Sequence, residues 1–340
     1  MKNVESALAR ISAERLHGSD QPPPKGFLRG IDVLGQELPK RIAGSCNAYR
    51  ARHGRTPELI APKTFTEKQV LFKFYAPVPI SPPPSDKLRN GVYIPEGTRE
   101  KVTIPRRFCI SDKPELPQNG DIGPGTYFFK SNHGSATNCR VTFPMNERTR
   151  TKLEAKARRW LSLVHGRGLS LWWNEAVERR VYLEENLGLA DGDAPDWKFF
   201  VFDGKVELIQ VDVDRFGDHV QTIYDRTGKF LDQELYFKSG PPVDMPVDLD
   251  AMIDIAEAIG RRFDFVRVDM FRMDGAIFLG ELGLVLTGAT LRVRSPELDE
   301  RLGEVWKAPW IGRVAPGFAV GHYATDWKTV HHPEREAPTP

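Results

Sequence analysis

Apolar and polar residues alternate most cleanly near the C-terminal third of the chain. Phe265 to Phe271 (FVRVDMF) and Ala276 to Leu282 (AIFLGEL) each keep a period of two, as strands with one face on a core do. Arg272-Met273-Asp274-Gly275 separates them. The spacing predicts a hairpin with a three-residue loop, Met273-Asp274-Gly275, and Gly275 in the left-handed position of a bulge. In that register position 267 lies opposite 281. Arg267, Asp269 and Glu281 then share one face, and Val266, Val268, Met270, Phe278 and Leu282 share the other.

The same patterning organises the rest of the chain. Residues 1–60 read as an accessory segment, with a short helix near Val4–Leu16, the run Pro22-Pro23-Pro24 and a second helical stretch. Thr64-Phe65-Thr66-Glu67 is a capping box that opens a helix to about Tyr75. Five prolines in 76–85 make an extended connector. Strands are expected at Arg107–Ile110, Thr126–Lys130 and Val181–Glu185, and helices at 147–166, 171–180 and Leu249–Arg262. Trp197 to Phe202 and Lys205 to Val213 form a hairpin about Asp203-Gly204. Hairpins interspersed with helices, without a regular βαβ series, predict an α+β fold.

At 340 residues the chain is long enough for a sizeable core or for two subdomains meeting at a cleft. A net charge of +2 and a pI near 8.3 give no electrostatic case for nucleic acid. Basic residues gather at Arg148 to Arg159 and elsewhere, and a solvated face accounts for most of them. The N-terminus has no signal-peptide core, and no apolar run approaches the ~20 residues of a membrane span. Cys46, Cys109 and Cys139 are sparse and far apart. They fit reduced thiols in a cytoplasm and read as small buried hydrophobes.

One guanidinium and two carboxylates on a strand face suit Mg²⁺ and phosphate, because carboxylate oxygens favour a hard octahedral cation. A solvated Arg–Glu cross-strand pair, worth up to about 1 kcal/mol, accounts for the same residues. Lys130 ends a strand and precedes the polar loop Ser131, Asn132, His133, Gly134, Ser135, Ala136, Thr137, Asn138. A strand-end lysine supplies a point charge to a polyphosphate, and a glycine lets loop amides approach its oxygens. An ordinary surface loop reads the same way, and no GxxxxGK[ST] is present. Glu184 and Glu185 could accept from an adenine amino group and ribose hydroxyls, and Lys198 could reach the phosphates or the purine.

The strings FTEKQVLFKFY, SDKL, FFKSNHGS, YLEENL, DWKFFVFDGKVELIQVDVDRF, FDFVRVDMFRMDGAIFLGEL and RLGEVW run in that order from Phe65 to Trp306. Together they resemble the TupA-like branch of the ATP-grasp family, associated with teichuronopeptide and other cell-surface polysaccharide biosynthesis. The resemblance implies an ATP-grasp fold, in which two α+β subdomains clasp the nucleotide. Residues 1–60 would be accessory, 61–125 a pre-ATP-grasp-like region, 126–186 the lid, 187–312 the core subdomain and 313–340 a tail. Lys130 and the loop Ser131, Asn132, His133, Gly134, Ser135 and Asn138 would bind the ATP phosphates. Glu184 and Glu185 would lie beside adenosine, with Lys198 and Asp212 completing the nucleotide contacts. Asp269 and Glu281 would hold Mg²⁺, and Arg267 would stabilise the transferring phosphoryl group.

Within the family's D-x-D-R-F…H stretch, Arg215 would clamp a carboxylate or phosphate. His219 would either orient a substrate and help deprotonate the amine or serve as a structural histidine. The implied activity is carboxylate–amine ligation through an acyl phosphate, with ATP, a carboxylate acceptor and an amine donor as partners and a cytoplasmic location. A kinase-like phosphotransfer to a hydroxyl or to His133 would use the same residues. One position departs from the pattern: Gly283 stands where ATP-grasp enzymes commonly carry a metal-ligating Asn. That departure motivates a third reading, a nucleotide-binding protein that has lost turnover.

Overall fold

The computed structural model describes residues 27–75, 82–187, 195–213 and 220–308, with side chains from residue 40 onward. The expected helix at Val4–Leu16, the Pro22–Pro24 run, most of the proline connector and the 313–340 tail lie outside them. Helix α1 (Phe27–His53) supplies the second helical stretch, and α2 (Phe65–Tyr75) follows its capping box. That box is reciprocal: Glu67 N donates to Thr64 Oγ1 at 3.3 Å, and Thr64 N donates to the Glu67 carboxylate at 3.2 Å.

Four strands form the first sheet, in the order β1 (Arg107–Ser111), β4 (Val181–Glu185), β2 (Gly125–Ser131), β3 (Asn138–Phe143), all antiparallel. Its apolar face buries Phe129, Val141 and Leu183 against Leu153, Ala157 and Trp160 of helix α3 (Glu147–Ser162). This sheet therefore reaches back across residue 125 to recruit β1. The stretch expected to be a helix over 171–180 is instead a 3₁₀ turn at Trp172–Ala176 followed by extended chain into β4. Three consecutive bulky residues, Leu171-Trp172-Trp173, offer no helical stripe of period 3.6, which is the reason that expectation fails.

The second sheet is a six-stranded antiparallel array ordered β10-β9-β5-β6-β7-β8, comprising β5 (Asp196–Phe202), β6 (Lys205–Val213), β7 (Val220–Tyr224), β8 (Phe230–Leu231), β9 (Phe265–Met273) and β10 (Ala276–Gly283). Phe199, Val201, Val266, Val268 and Met270 form one buried face, covered by helix α4 (Leu249–Gly260), whose Gly260 lies against Val201. The other face is divided along its length. At one end Phe202 and Phe265 stack with Phe65 of α2 and with Trp306, just past helix α5 (Pro296–Val305); Phe265 sits 5.1 Å from each of the latter two rings. The other end is polar.

The chain's N- and C-terminal motifs close over this aromatic cluster. Thr66 bonds Asp299 through N and Oγ1 at 2.8 and 2.6 Å, and Lys68 Nζ donates to the carbonyls of Gly303 and Trp306. A side chain at 303 would meet the Lys63 carbonyl at 2.0 Å, so glycine is required there. All three cysteines are free thiols, but Cys109 is exposed, against the expectation that each would be buried. It sits in the bulge between Phe108 and Ser111 with a φ of 51°, outside the regular alternation of strand β1.

Candidate active site

The hairpin that carries the polar end differs in detail from the sequence expectation. Its loop has two residues, not three: Met273 pairs with Ala276, and Asp274 and Gly275 turn with φ of 50° and 78°. Carried on without interruption, that register would set Glu281 opposite Val268, facing the core. A bulge at Gly280 restores the alternation, so that Glu281 pairs with Asp269 and Gly283 with Arg267. A Cβ at 280 would lie 2.7 Å from Phe271 and 3.2 Å from the Asp269 carbonyl. Arg267, Asp269 and Glu281 thus share a face. Phe278 does not join the core as expected: it pairs with Phe271 on the polar side, and Ile277 and Leu279 take its place inside.

Arg267 holds Asp269 bidentately, Nε to Oδ1 and Nη2 to Oδ2 both at 2.6 Å, and reaches Glu281 at 3.3 Å. Next to this hairpin, Lys198 of β5 pairs in register with Asp269. Its ammonium is buried among three carboxylates, bonded to Asp196 and lying 3.2 Å from Asp212 and 3.9 Å from Asp269. Asp212 also accepts from the amides of Gln210 (2.9 Å) and Gln221 (2.8 Å). Burial works to raise the Asp212 carboxyl, but Lys198 and the two amides hold it down at about 2. Burial likewise raises Asp269, against the pull of Arg267 and Lys198. For Glu281 burial is outweighed by Lys87, Arg267 and Lys198, which bring it to about 2.

Lys87 joins the two halves of the site. Its ammonium donates to the Gly134 carbonyl of the 131–138 loop at 2.6 Å and lies 3.4 Å from Glu281. The loop expected to bind phosphate and the Arg–Asp–Glu hairpin therefore face the same space. On the four-stranded sheet, Lys130 pairs with Glu184 by an ion pair, and Arg107 approaches Glu184 at 3.9 Å on the same face. Neighbouring strand residues point oppositely, so Glu185 lies on the other side, where Arg106 holds it at 2.7 and 2.8 Å. Both glutamates cannot address one adenosine.

Two residues of the loop are committed to the protein itself. Asn132 donates to Asp86 and to the Glu178 carbonyl and accepts from Arg180 N, and it is 1% exposed. His133 is 4% exposed, with Nε2 against the Trp160 carbonyl at 3.0 Å and Nδ1 against Asn132 at 3.2 Å; burial lowers it to about 4. Ser131 Oγ donates to Thr137 Oγ1 at 2.7 Å, and Gly134 has no room for a side chain beside Thr137. Ser135 and Asn138 are exposed, and Lys130 is partly so. Asn132 and His133 thus shape the loop rather than present ligands. Arg215 and His219 lie outside the described residues.

Lys87, Asp196, Gln210 and Gln221 escaped sequence reasoning. The SDKL string contains Lys87, and Asp196 precedes Lys198 by two, the spacing of one strand face. Those were the available signals. In sum the site sets four carboxylates (Asp196, Asp212, Asp269, Glu281) against three cations (Lys87, Lys198, Arg267). The surplus is negative. No group of three or more His, Cys, Asp or Glu able to hold a metal occurs among the described residues. Asp269 and Glu281 supply two carboxylates, as suits a Mg²⁺ that completes its shell with phosphate oxygens and water. Among the described residues no helix is long and apolar enough to cross a membrane.

Residues 169–307 match the family model described as TupA-like ATPgrasp, a stretch that includes Glu184, Lys198, Arg267, Asp269 and Glu281. Taken with the two antiparallel sheets, this gives the chain the α+β ATP-grasp fold. No curated protein matches it. Among solved structures it is similar to the D-alanine–D-alanine ligase from Bacillus anthracis complexed with ATP, with 16% identity and a TM-score of 0.36 over 60% of this chain and 54% of that one. The ATP-grasp ligase PsnB complexed with minimal precursor gives 16% and 0.35 over 65% and 59%. An L-amino acid ligase from Bacillus licheniformis gives 13% and 0.30 over 60% and 41%. The chain spans little more than half the length of the first of these, and at such scores the likeness carries no argument about activity or substrate.

Proposed function

We propose that this protein is an ATP-dependent carboxylate–amine ligase that forms an amide through an acyl phosphate, acting in the cytoplasm in cell-surface polysaccharide or small-molecule biosynthesis. The observation that carries this reading is the convergence of Arg267, Asp269 and Glu281 on one sheet face, linked through Lys87 to the 131–138 loop. We divide the chain accordingly into an N-terminal region, a lid from β1 through β4 and a core subdomain built on the six-stranded sheet.

In this reading Lys130, Ser135, Asn138 and Lys87 bind the ATP phosphates, and Glu184 faces the adenosine. Asp269 and Glu281 hold Mg²⁺, which supplies neutralisation of charge on the transferring phosphoryl group. Lys198 and Asp212 fix the position of Asp269 rather than contact the reacting atoms. Arg267 uses Nε and Nη2 on its carboxylates, and Nη1 is the donor it offers to the phosphoryl oxygens. The substrate carboxylate takes the γ-phosphoryl group and ADP departs; the amine then attacks the acyl carbon, releasing phosphate and a proton. Water competes with the amine at that carbon, which gives closure of the lid its purpose. The kinase-like reading loses one of its acceptors, because His133 is 4% exposed and its Nε2 lies against the Trp160 carbonyl.

A screen of amino acids and uronic acids for ADP release tests the proposal. The expected result is Mg²⁺-dependent ADP and phosphate with an amide product. A stable phosphorylated product, or ATP binding without turnover across the panel, would replace the ligase reading.

A further inference from the structure

Helix α3 concentrates positive charge to a degree the whole chain does not. Its sixteen residues carry six basic side chains and two acidic ones, a net of +4, whereas the full sequence carries +2, leaving −2 for everything else. The charge is also sorted by direction. At about 100° per residue, Arg148, Lys152, Lys156 and Arg159 fall within an arc of roughly 80° along about 16 Å of helix. All four are exposed. Glu147 and Glu154 lie on the opposite flank, where Glu147 meets the buried Arg150 at 3.8 Å. Leu153, Ala157 and Trp160 are spent on the lid core, so the apolar side of α3 is unavailable for insertion.

We propose that this stripe is a docking surface for an anionic lipid membrane, to which the protein adsorbs peripherally. The stripe is straight, lies on the outer side of the lid away from the Lys130–Glu184 face, and offers a plane of negative headgroups a row of charge. Leu163, directly after the helix, is 49% exposed. An exposed leucine beside cations suits the boundary between headgroup and acyl chain and contributes nothing to a phosphodiester backbone, which favours lipid over nucleic acid.

The experiment is co-sedimentation of the full chain with phosphatidylcholine vesicles, alone or mixed with phosphatidylglycerol, without nucleotide, so that its result is independent of the ligase proposal. Binding is expected only to the anionic vesicles and is lost as salt is raised. The Lys152→Gln/Lys156→Gln variant should bind about 25-fold more weakly, taking about fivefold per cation. Its melting temperature and its ADP release with substrates in solution should be unchanged. Equal binding by the variant, equal binding to neutral vesicles, no binding at low salt, or retention on duplex RNA in preference to vesicles would each overturn the proposal.

Discussion

Glu281 stands opposite Asp269 because Gly280 is an extra residue in its strand. The bulge turns Glu281 out of the core, and its tight contacts with Phe271 and the Asp269 carbonyl leave no space for a Cβ. Asn90 Nδ2 also donates to the Gly280 carbonyl at 3.0 Å, fixing the bulge from the neighbouring segment. Gly280→Val should therefore cost about 1–3 kcal/mol by overpacking and disturb the Asp269–Glu281 alignment. Urea denaturation together with ADP release at saturating Mg²⁺ checks this. Unchanged stability and unchanged turnover would show that the bulge positions nothing.

The two carboxylates differ in surroundings, and their variants should differ too. Glu281 is 41% exposed, so Glu281→Gln should alter stability by less than about 1 kcal/mol while abolishing Mg²⁺-dependent ADP release. Asp269 is buried against Arg267 and Lys198. Asp269→Asn should remove turnover and also destabilise by about 3 kcal/mol, since it breaks the buried bidentate pair with Arg267. Full turnover in both variants would refute the metal assignment.

How much of this was legible in sequence is clearest in the same hairpin. Alternation alone identified both strands and the shared face of Arg267, Asp269 and Glu281. The register was read with a loop one residue too long and without the bulge. Beyond Gly280 the two differences add to a shift of two, which sets Glu281 opposite Asp269 instead of Arg267 but keeps its face. Before Gly280 the shift is one, which puts Phe278 on the side opposite to the expected one. Bulge positions depend on contacts such as Gly280 with Phe271, which periodicity does not encode. Asn132 and His133 were read as ligands because polar residues in a small-residue loop look alike whether they bond phosphate or their own protein. The partners that distinguish the cases, Asp86, Glu178 and Trp160, lie 27 to 46 residues away. Lys87 was hidden for the same reason, with Glu281 far along the chain.

Arg267→Lys tests the guanidinium itself. A lysine retains the charge but not the two parallel bonds to Asp269 or a planar donor for a phosphoryl group. kcat should fall by about 100-fold or more, with the Kd for ATP changed much less. Equal losses in both, measured by steady-state ADP release and nucleotide titration, would assign Arg267 to ground-state binding.

His133 gives the loop a pH dependence. Its pKa is lowered from 6.5 to about 4 by burial, so the folded state binds fewer protons than the unfolded state between those values. The stability it contributes is fully present above about pH 6.5 and is lost as pH falls toward 4, amounting to about 3 kcal/mol. His133→Gln should be less stable at pH 8, through loss of the fit to Asn132 and Trp160, yet should lose less stability on acidification. Urea denaturation of both proteins from pH 8 to 4 measures the difference. Parallel curves would place the acid sensitivity elsewhere.

Gly283 is two residues beyond Glu281 on the same face, and it pairs with Arg267. A Cβ built there would meet Leu286 at 3.3 Å and Arg267 at 3.8 Å, so a modest side chain fits if the end of Leu286 shifts by a few tenths of an ångström. An amide oxygen at this position would stand beside both the guanidinium and the proposed metal carboxylates. Gly283→Asn should therefore lower the Mg²⁺ concentration needed for half-maximal ADP release severalfold, at a cost in stability of about 1 kcal/mol. The direction of that change is diagnostic. If the requirement for Mg²⁺ stays fixed or rises while the protein remains folded, the ion is not held on this face of the hairpin.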